Sequence, residues 1–154
     1  MTDPRRPALV GLTALLAVVL GTSARGQPQH AARQVTVFGI IATPNSKVID
    51  PKLEQIEFQL RKLLPDHGFK LLDVKSKRLQ AGQAVRCDLG LGYTVSTALV
   101  LPLDGEGKVR LKCDLLLNEV VRFETLVSTP PNQLFFCDRM LDDGSRLLIG
   151  IGAR

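Results

Sequence analysis

Short apolar segments separated by turn-forming residues fill most of the chain beyond residue 33. The first, QVTVFGII over 34–41, is rich in β-branched side chains, which favours a buried strand. After residue 69 no helical period follows, and turn-forming residues separate short apolar stretches. Further strands are therefore predicted over 69–76, 83–89, 93–103, 108–117, 120–127, 133–137 and 146–151.

One segment has a helical period instead. Asp50 can accept hydrogen bonds from the first free N–H groups of a helix, and Pro51 has no N–H to leave unpaired, so the pair predicts a helix start. The turn residues at 65–68 end the helix. Between these limits, apolar residues recur at steps of three and four and form one stripe: Leu53, Ile56, Leu60, Leu63 and Leu64.

The clearest hairpin surrounds the turn at 104–107. Along 108–117 apolar residues alternate with charged ones, so one face of this strand is expected to be buried and the other solvated. The order of the elements predicts an α+β fold, with one N-terminal helix packed on a mainly antiparallel β-meander or small β-sandwich.

Residues 1–26 have the pattern of a cleavable signal peptide. Arg5 and Arg6 precede a 13-residue apolar run over 8–20. The run is shorter than the roughly 20 apolar residues that cross a bilayer, so we expect no stable membrane span after cleavage. The protein is therefore predicted to be exported, periplasmic or secreted, and the arginine pair leaves open whether the general secretory or the twin-arginine route is used.

Small residues locate the cleavage site. Ala24 and Gly26 fit the positions that the signal peptidase requires, which makes residue 27 the mature start, and a start at Arg25 is the alternative. The predicted organisation is a cleavable signal peptide at 1–26, a flexible lead-in at 27–33 and a single α+β domain at 34–154.

The mature chain is only mildly basic. The full 154 residues carry 20 Lys and Arg against 15 Asp and Glu, a net charge of +5. Loss of residues 1–26 removes three arginines and one aspartate, which leaves 17 basic and 14 acidic side chains and a net charge of +3. With one tyrosine, six phenylalanines and no tryptophan, the chain has few residues for stacking on bases, so we expect no nucleic-acid partner.

Three cysteines, Cys87, Cys113 and Cys137, each precede an aspartate. On a strand, adjacent side chains point to opposite faces, so a Cys–Asp pair does not converge on one metal ion. No C-x-x-C pair occurs, and the two histidines are His30 and His67. We therefore expect no metal site and no bound cofactor.

Export favours disulfide bonds, but the predicted meander keeps these thiols apart. Cys87 and Cys113 would lie on strands with one strand between them, about 9.5 Å apart, and so would Cys113 and Cys137. That separation exceeds the reach of a disulfide. Buried free thiols are therefore favoured, while a bond between two of the three stays open.

No motif for catalysis is present. The G-x-G pieces at 90–92 and 150–152 do not open a helix, as a phosphate-binding loop requires. The segment 138–144 lacks the ligand spacing of a calcium loop and is interpreted as a turn. His67 falls in a predicted solvent-exposed turn, and no G-x-S-x-G elbow occurs, so no catalytic residue is assigned.

Positive side chains concentrate around the end of the helix and the strand after it. They form a candidate patch for an anionic partner. Lysines that protect a solvated strand edge are the interpretation that we favour. The residues are Arg61, Lys62, Lys70, Lys75, Lys77 and Arg78.

The order of a signal peptide, the strand QVTVFGII, the helix DPKLEQIEFQLRKLL, the segment GFKLLDVKSKRL and the closing DDGSRLLIGIGAR resembles small, uncharacterised exported bacterial domains. The resemblance implies an envelope-associated module and transfers no functional residue. We expect an exported, non-enzymatic binding or scaffold module with an envelope protein as partner, because exposed strand edges recruit partner strands. The alternative is a small periplasmic enzyme or ligand carrier with a pocket between helix and sheet.

Overall fold

The structure, a computed structural model, describes residues 31–154, so the predicted signal peptide and most of the predicted lead-in lie outside the described residues. A short helical segment begins as a 3-10 helix over Pro51–Ile56 and continues as α1 (Glu57–Leu63). No helix in residues 31–154 is long and apolar enough to cross a membrane. The strands are β1 (Arg33–Pro44), β2 (His67–Leu79), β3 (Ala84–Gly90), β4 (Tyr93–Leu101), β5 (Val109–Leu117), β6 (Val120–Thr129), β7 (Leu134–Met140) and β8 (Arg146–Ala153).

The strands form two four-stranded antiparallel sheets that pack face to face. The first sheet has the order β2-β1-β8-β7 and the second has the order β3-β4-β5-β6. The helical segment covers part of the outer face of the first sheet, which adds a third layer. This arrangement confirms a β-rich α+β fold. The helical segment lies between β1 and β2, so it is N-terminal only in the sense that it precedes seven of the eight strands.

The strand order corrects the simple meander. Strands β3 to β6 pair in sequence order, as a meander requires. However, β7 belongs to the first sheet, and β8 pairs with both β7 and β1. The chain forms a sandwich because β1 and β8 bury one apolar face against the second sheet.

Two-residue alternation builds the apolar layer between the sheets. On β5, Val109, Leu111 and Leu115 face the first sheet and are buried. Lys112 and Asp114 occupy the opposite face and are partly exposed, with 3.8 Å between the Lys112 Nζ and the Asp114 carboxylate. The predicted division of 108–117 into a buried and a solvated face is confirmed.

The predicted helix start is held by Asp50. Its carboxylate accepts a hydrogen bond from the N–H of Lys52 at 3.0 Å, as an N-cap does, and a second from the N–H of Leu71 at 3.3 Å. The second bond ties the helix start to β2.

A second apolar layer attaches the helical segment to the first sheet. Leu53 and Leu60 are fully buried and Ile56 is almost so, and they pack with Ile40 and Leu148. The three helical residues belong to the predicted apolar stripe. The last two residues of that stripe, at 63 and 64, lie nearer the surface. Apolar side chains therefore hold the helical segment on the sheet, while a cavity of about 390 Å³ stays open beside them, with Gln34, Gln55 and Arg154 in its lining.

The Asp104 side chain holds the turn between β4 and β5. One carboxylate oxygen accepts hydrogen bonds from the N–H groups of Lys108 and Glu106, each at 2.9 Å, and the other lies 3.6 Å from the Arg110 guanidinium. The Lys108 N–H, followed by the Glu106 N–H and the two cationic side chains, lowers the pKa of the Asp104 carboxyl below its ordinary value.

This lowered pKa predicts a dependence of stability on acid. The pKa of Asp104 is lower in the folded chain than in the unfolded chain, so the ionised carboxylate stabilises the fold. This stabilisation is complete above the unfolded pKa of about 4 and is lost as the pH falls through the folded pKa. We expect Asp104→Asn to flatten the fall of the urea unfolding midpoint below about pH 4. Glu106→Gln in the same turn is the control, and a wild-type pH profile in Asp104→Asn would contradict the assignment.

Candidate functional site

The two corners of the sandwich, where an edge strand of one sheet meets an edge strand of the other, are closed to different degrees. At one corner β2 lies against β3. At the other, β6 and β7 barely touch. We call this second corner the β6–β7 seam and define it by the inward residues of the two strands that are not fully buried: Val120, Phe123, Thr125, Phe135, Cys137 and Arg139.

Burial along β6 shows that the seam widens toward the beginning of that strand. The positions that pair with inward residues of β5 are Thr129, Val127, Thr125 and Phe123. The first two are buried, Thr125 is half-buried, and Phe123 is 40% exposed although it faces the core layer. Val120, at the start of the strand, is exposed. The first sheet therefore covers only the last part of β6.

Strand β7 supplies the opposite side of the seam. Its inward positions are Phe135, Cys137 and Arg139. Phe135 and Arg139 are exposed, and Cys137 is half-buried. A cavity of about 70 Å³ lies between Phe123 of β6 and the Cys137 and Arg139 side chains of β7. The seam is thus an apolar opening with one cationic side chain.

The outer face of β6 continues the apolar surface. Val121 is half-exposed and Leu126 is 60% exposed. Between them, the Glu124 carboxylate lies 3.0 Å from Lys112 Nζ on β5, and this hydrogen bond is the main reason that the pKa of Lys112 is raised. In residues 31–154, β6 pairs only with β5, so its second backbone edge faces outward.

The edge strand β2 is protected in a way that β6 is not. Lys70, Lys75 and Lys77 occupy the inward positions of β2, and Lys75 lies 3.8 Å from the Asp73 carboxylate. Inward-pointing charges on an edge strand oppose pairing with another chain. This placement supports the interpretation of these lysines as edge protection.

The six basic residues singled out in the sequence are spread over two elements. Arg78 points to the opposite side of β2 from the three lysines. Arg61 on α1 lies 2.9 Å from the Glu57 carboxylate and donates to the Lys47 carbonyl at 2.9 Å. Lys62 lines a groove between α1 and β7. Binding of an anionic partner by these residues stays a prediction.

The other candidates take structural positions. His67 is half-buried at the start of β2, so its predicted exposure in a turn is wrong. Asp143 accepts hydrogen bonds from the hydroxyl and the N–H of Ser145, which lower the pKa of its carboxyl, as the turn interpretation requires. Within residues 31–154, no three His, Cys, Asp or Glu side chains are grouped so that they could hold a metal ion.

Cys113 and Cys137 face each other across the sandwich, which corrects their predicted separation. Cys113 lies on β5 and Cys137 on β7, in opposite sheets. The Cys137 thiol donates to the carbonyl of Ile149 at 3.8 Å. The neighbouring Cys137 thiol, followed by burial, raises the pKa of Cys113, and the proximity of Cys113 lowers the pKa of Cys137. All three cysteines are free thiols, and β4 separates Cys87 from Cys113 as predicted.

Sequence reasoning missed the seam, although one signal was available. The run V-V-R-F at 120–123 interrupts the two-residue alternation, and two adjacent apolar residues cannot both face one core layer. Such a run marks a place where apolar side chains are left at the surface.

Comparison with protein-family models, with curated proteins and with solved structures found no match. Function is therefore inferred from the residues of the seam and of β6.

Proposed function

We propose that this chain is an exported, non-enzymatic binding module that recruits an extended segment of a bacterial envelope protein to the exposed edge of β6. The observation that carries the proposal is the contrast between the two corners: β2 is protected by inward lysines, whereas β6 exposes Phe123 and Leu126 beside an outward backbone edge. Edge strands without such protection pair readily with another strand.

The chemistry of the edge defines the partner segment. A strand added to β6 would gain main-chain hydrogen bonds, and its alternate side chains would meet two different surfaces. Side chains on the inner side would enter the seam beside Phe123 and Phe135, and those on the outer side would lie beside Val121 and Leu126. The fitting partner is therefore an extended peptide with apolar residues at alternate positions.

Export is the part of the proposal that rests on the sequence pattern of residues 1–26, and an envelope partner is proposed on the same basis. The alternative, a catalytic or carrier pocket between helix and sheet, has less support. A cavity of about 390 Å³ does lie between the 3-10 helix and the first sheet, but Arg154 is the one titratable side chain among the residues that line it, so it lacks a converging acid and base.

Photocrosslinking in native envelopes tests the proposal. A photoreactive residue at 126 on β6 is expected to give one reproducible protein adduct, identified by mass spectrometry, whose contact peptide is extended and apolar. The matched position is 74 on the protected edge β2, where Val74 is also partly exposed and no such adduct is expected.

Charge on the edge should abolish capture. Leu126→Lys combined with Val121→Lys is expected to reduce the adduct from a probe at 123 by about tenfold or more, because a lysine on an edge strand opposes pairing. Val74→Lys is the control and should leave the adduct unchanged. Absence of a reproducible adduct from β6, or equal adducts from β2 and β6, would count against the function.

A further inference from the structure

The two thiols that face each other across the sandwich have a geometry that the third cysteine lacks. Cys113 is fully buried on the inner side of β5, and Cys137 packs against the same core layer from β7. Cys87 belongs to this layer too, but it lies on β3, at the opposite edge of the second sheet from β6. Cys113 and Cys137 occupy inward positions in opposite sheets, and Leu115, two residues from Cys113, lines the same cavity as Cys137.

The pair is reachable from solvent at one end. Cys137 is half-buried and lines the cavity of about 70 Å³ at the β6–β7 seam, beside Phe123 and Arg139. Cys113 is fully buried, and the nearby Cys137 thiol together with burial raises the pKa of Cys113. Because a disulfide oxidant must reach the attacking sulfur, Cys137 is the thiol that reacts first.

We propose that Cys113 and Cys137 form an oxidation site that closes as an intramolecular disulfide between the two sheets when the protein meets a disulfide oxidant. The proposal does not depend on the proposed function of β6. Sandwich folds accommodate a disulfide between facing strands of opposite sheets, because inward side chains from the two sheets meet in the middle of the core.

The reaction balances with one disulfide molecule as the oxidant. The Cys137 thiolate attacks one sulfur of the oxidant, its S–S bond breaks, and the first thiolate leaves and takes up a proton. The Cys113 thiol then loses its proton and attacks the Cys137 sulfur of the mixed disulfide, which releases the second thiol. Two protein thiols are oxidised, one oxidant disulfide is reduced to two thiols, and no other reactant is required.

Closure should stabilise the sandwich, because the bond joins β5 to β7 around the loop 113–137, which includes the poorly covered strand β6. Removal of loop entropy from the unfolded chain predicts a rise in Tm of about 10 °C, and the rise should disappear when a reductant opens the bond.

The test treats the purified protein with oxidised glutathione and measures intact mass and peptide linkage without reduction. We expect a loss of two hydrogen masses, a peptide linkage between residues 113 and 137, and the same result in Cys87→Ala. Cys113→Ala should instead keep one glutathione on Cys137, because the second attack is impossible.

Other outcomes overturn the proposal. A linkage that includes Cys87, an unchanged mass after prolonged oxidation of folded protein, or glutathione retained by wild type as firmly as by Cys113→Ala would each do so. If Cys113→Ala does not fold, Cys137→Ala takes its place in the test, because position 137 is only half-buried. This second variant should take up no glutathione.

Discussion

Replacing Gly152 with valine is expected to lower the free energy of unfolding by about 3 kcal/mol, because the site has no room for a side chain. A Cβ at this position would lie 2.8 Å from the carbonyl oxygen of Gln133 and 2.8 Å from a methyl carbon of Leu134. The backbone cannot retreat easily, since the N–H of Asn132 donates to the carbonyl of Ala153 at 2.7 Å. Urea unfolding followed by circular dichroism measures the loss.

A second glycine separates crowding from the general effect of valine. A Cβ at Gly105, in the turn after β4, would meet no atom within 4 Å, and this residue does not have a left-handed backbone. Gly105→Val should therefore change the free energy of unfolding by less than about 0.5 kcal/mol. Equal losses at the two positions would show that close packing of β8 against β7 is not the cause.

Truncation of Leu60 to alanine is expected to cost about 3 kcal/mol of stability, because it removes buried methyl groups and leaves a cavity under the helix. Leu60 is fully buried and packs in the layer that contains Ile40 and Leu148. The effect is read from the denaturant midpoint at constant m-value, which distinguishes a change in stability from loss of two-state unfolding.

Leu63 in the same helix provides the comparison. It is 48% exposed, so Leu63→Ala should lower the free energy of unfolding by less than about 1 kcal/mol. Similar losses for the two variants would mean that the helical segment contributes little through its buried face, and the three-layer description would need revision.

The sequence patterns predicted local structure well. The strand expected at 34–41 lies within Arg33–Pro44, and the one expected at 108–117 is observed as Val109–Leu117. The cap at Asp50 was predictable because its hydrogen bond joins residues two positions apart. Such features depend on neighbouring residues alone, so a single sequence contains the information for them.

The partition of strands between sheets was not predictable in the same way. Turn residues such as the pair at 118–119 indicate that consecutive strands pair, but they do not indicate where the chain changes sheets. After β6 the chain passes from the second sheet to the first through a Pro-Pro-Asn turn at 130–132. The sequence of this turn does not differ in kind from the turns that join paired strands. The contact between Cys113 and Cys137 depends on this change, which is why the meander placed those thiols too far apart.

The β6–β7 seam was not predicted from the sequence for a related reason. Phe123 and Phe135 read as core residues because each belongs to an apolar strand. Their exposure arises from how two edge strands diverge in space, and the run at 120–123 indicates only that some apolar side chains near it stay at the surface. The lysines of β2 were more informative, since a charge at an inward strand position is unusual in itself.

The pairing of the first strand with the last also constrains how the chain reaches its final form. Val35 pairs with Ala153, whereas every pair in the second sheet joins consecutive strands. Contacts between distant residues carry a larger entropy of loop closure and form late. We therefore expect the second sheet to form early in folding and the insertion of β8 between β1 and β7 to be the rate-limiting step. Until β8 is in place, the inner faces of both sheets lack their full cover, and the incomplete sandwich is the species most prone to aggregation.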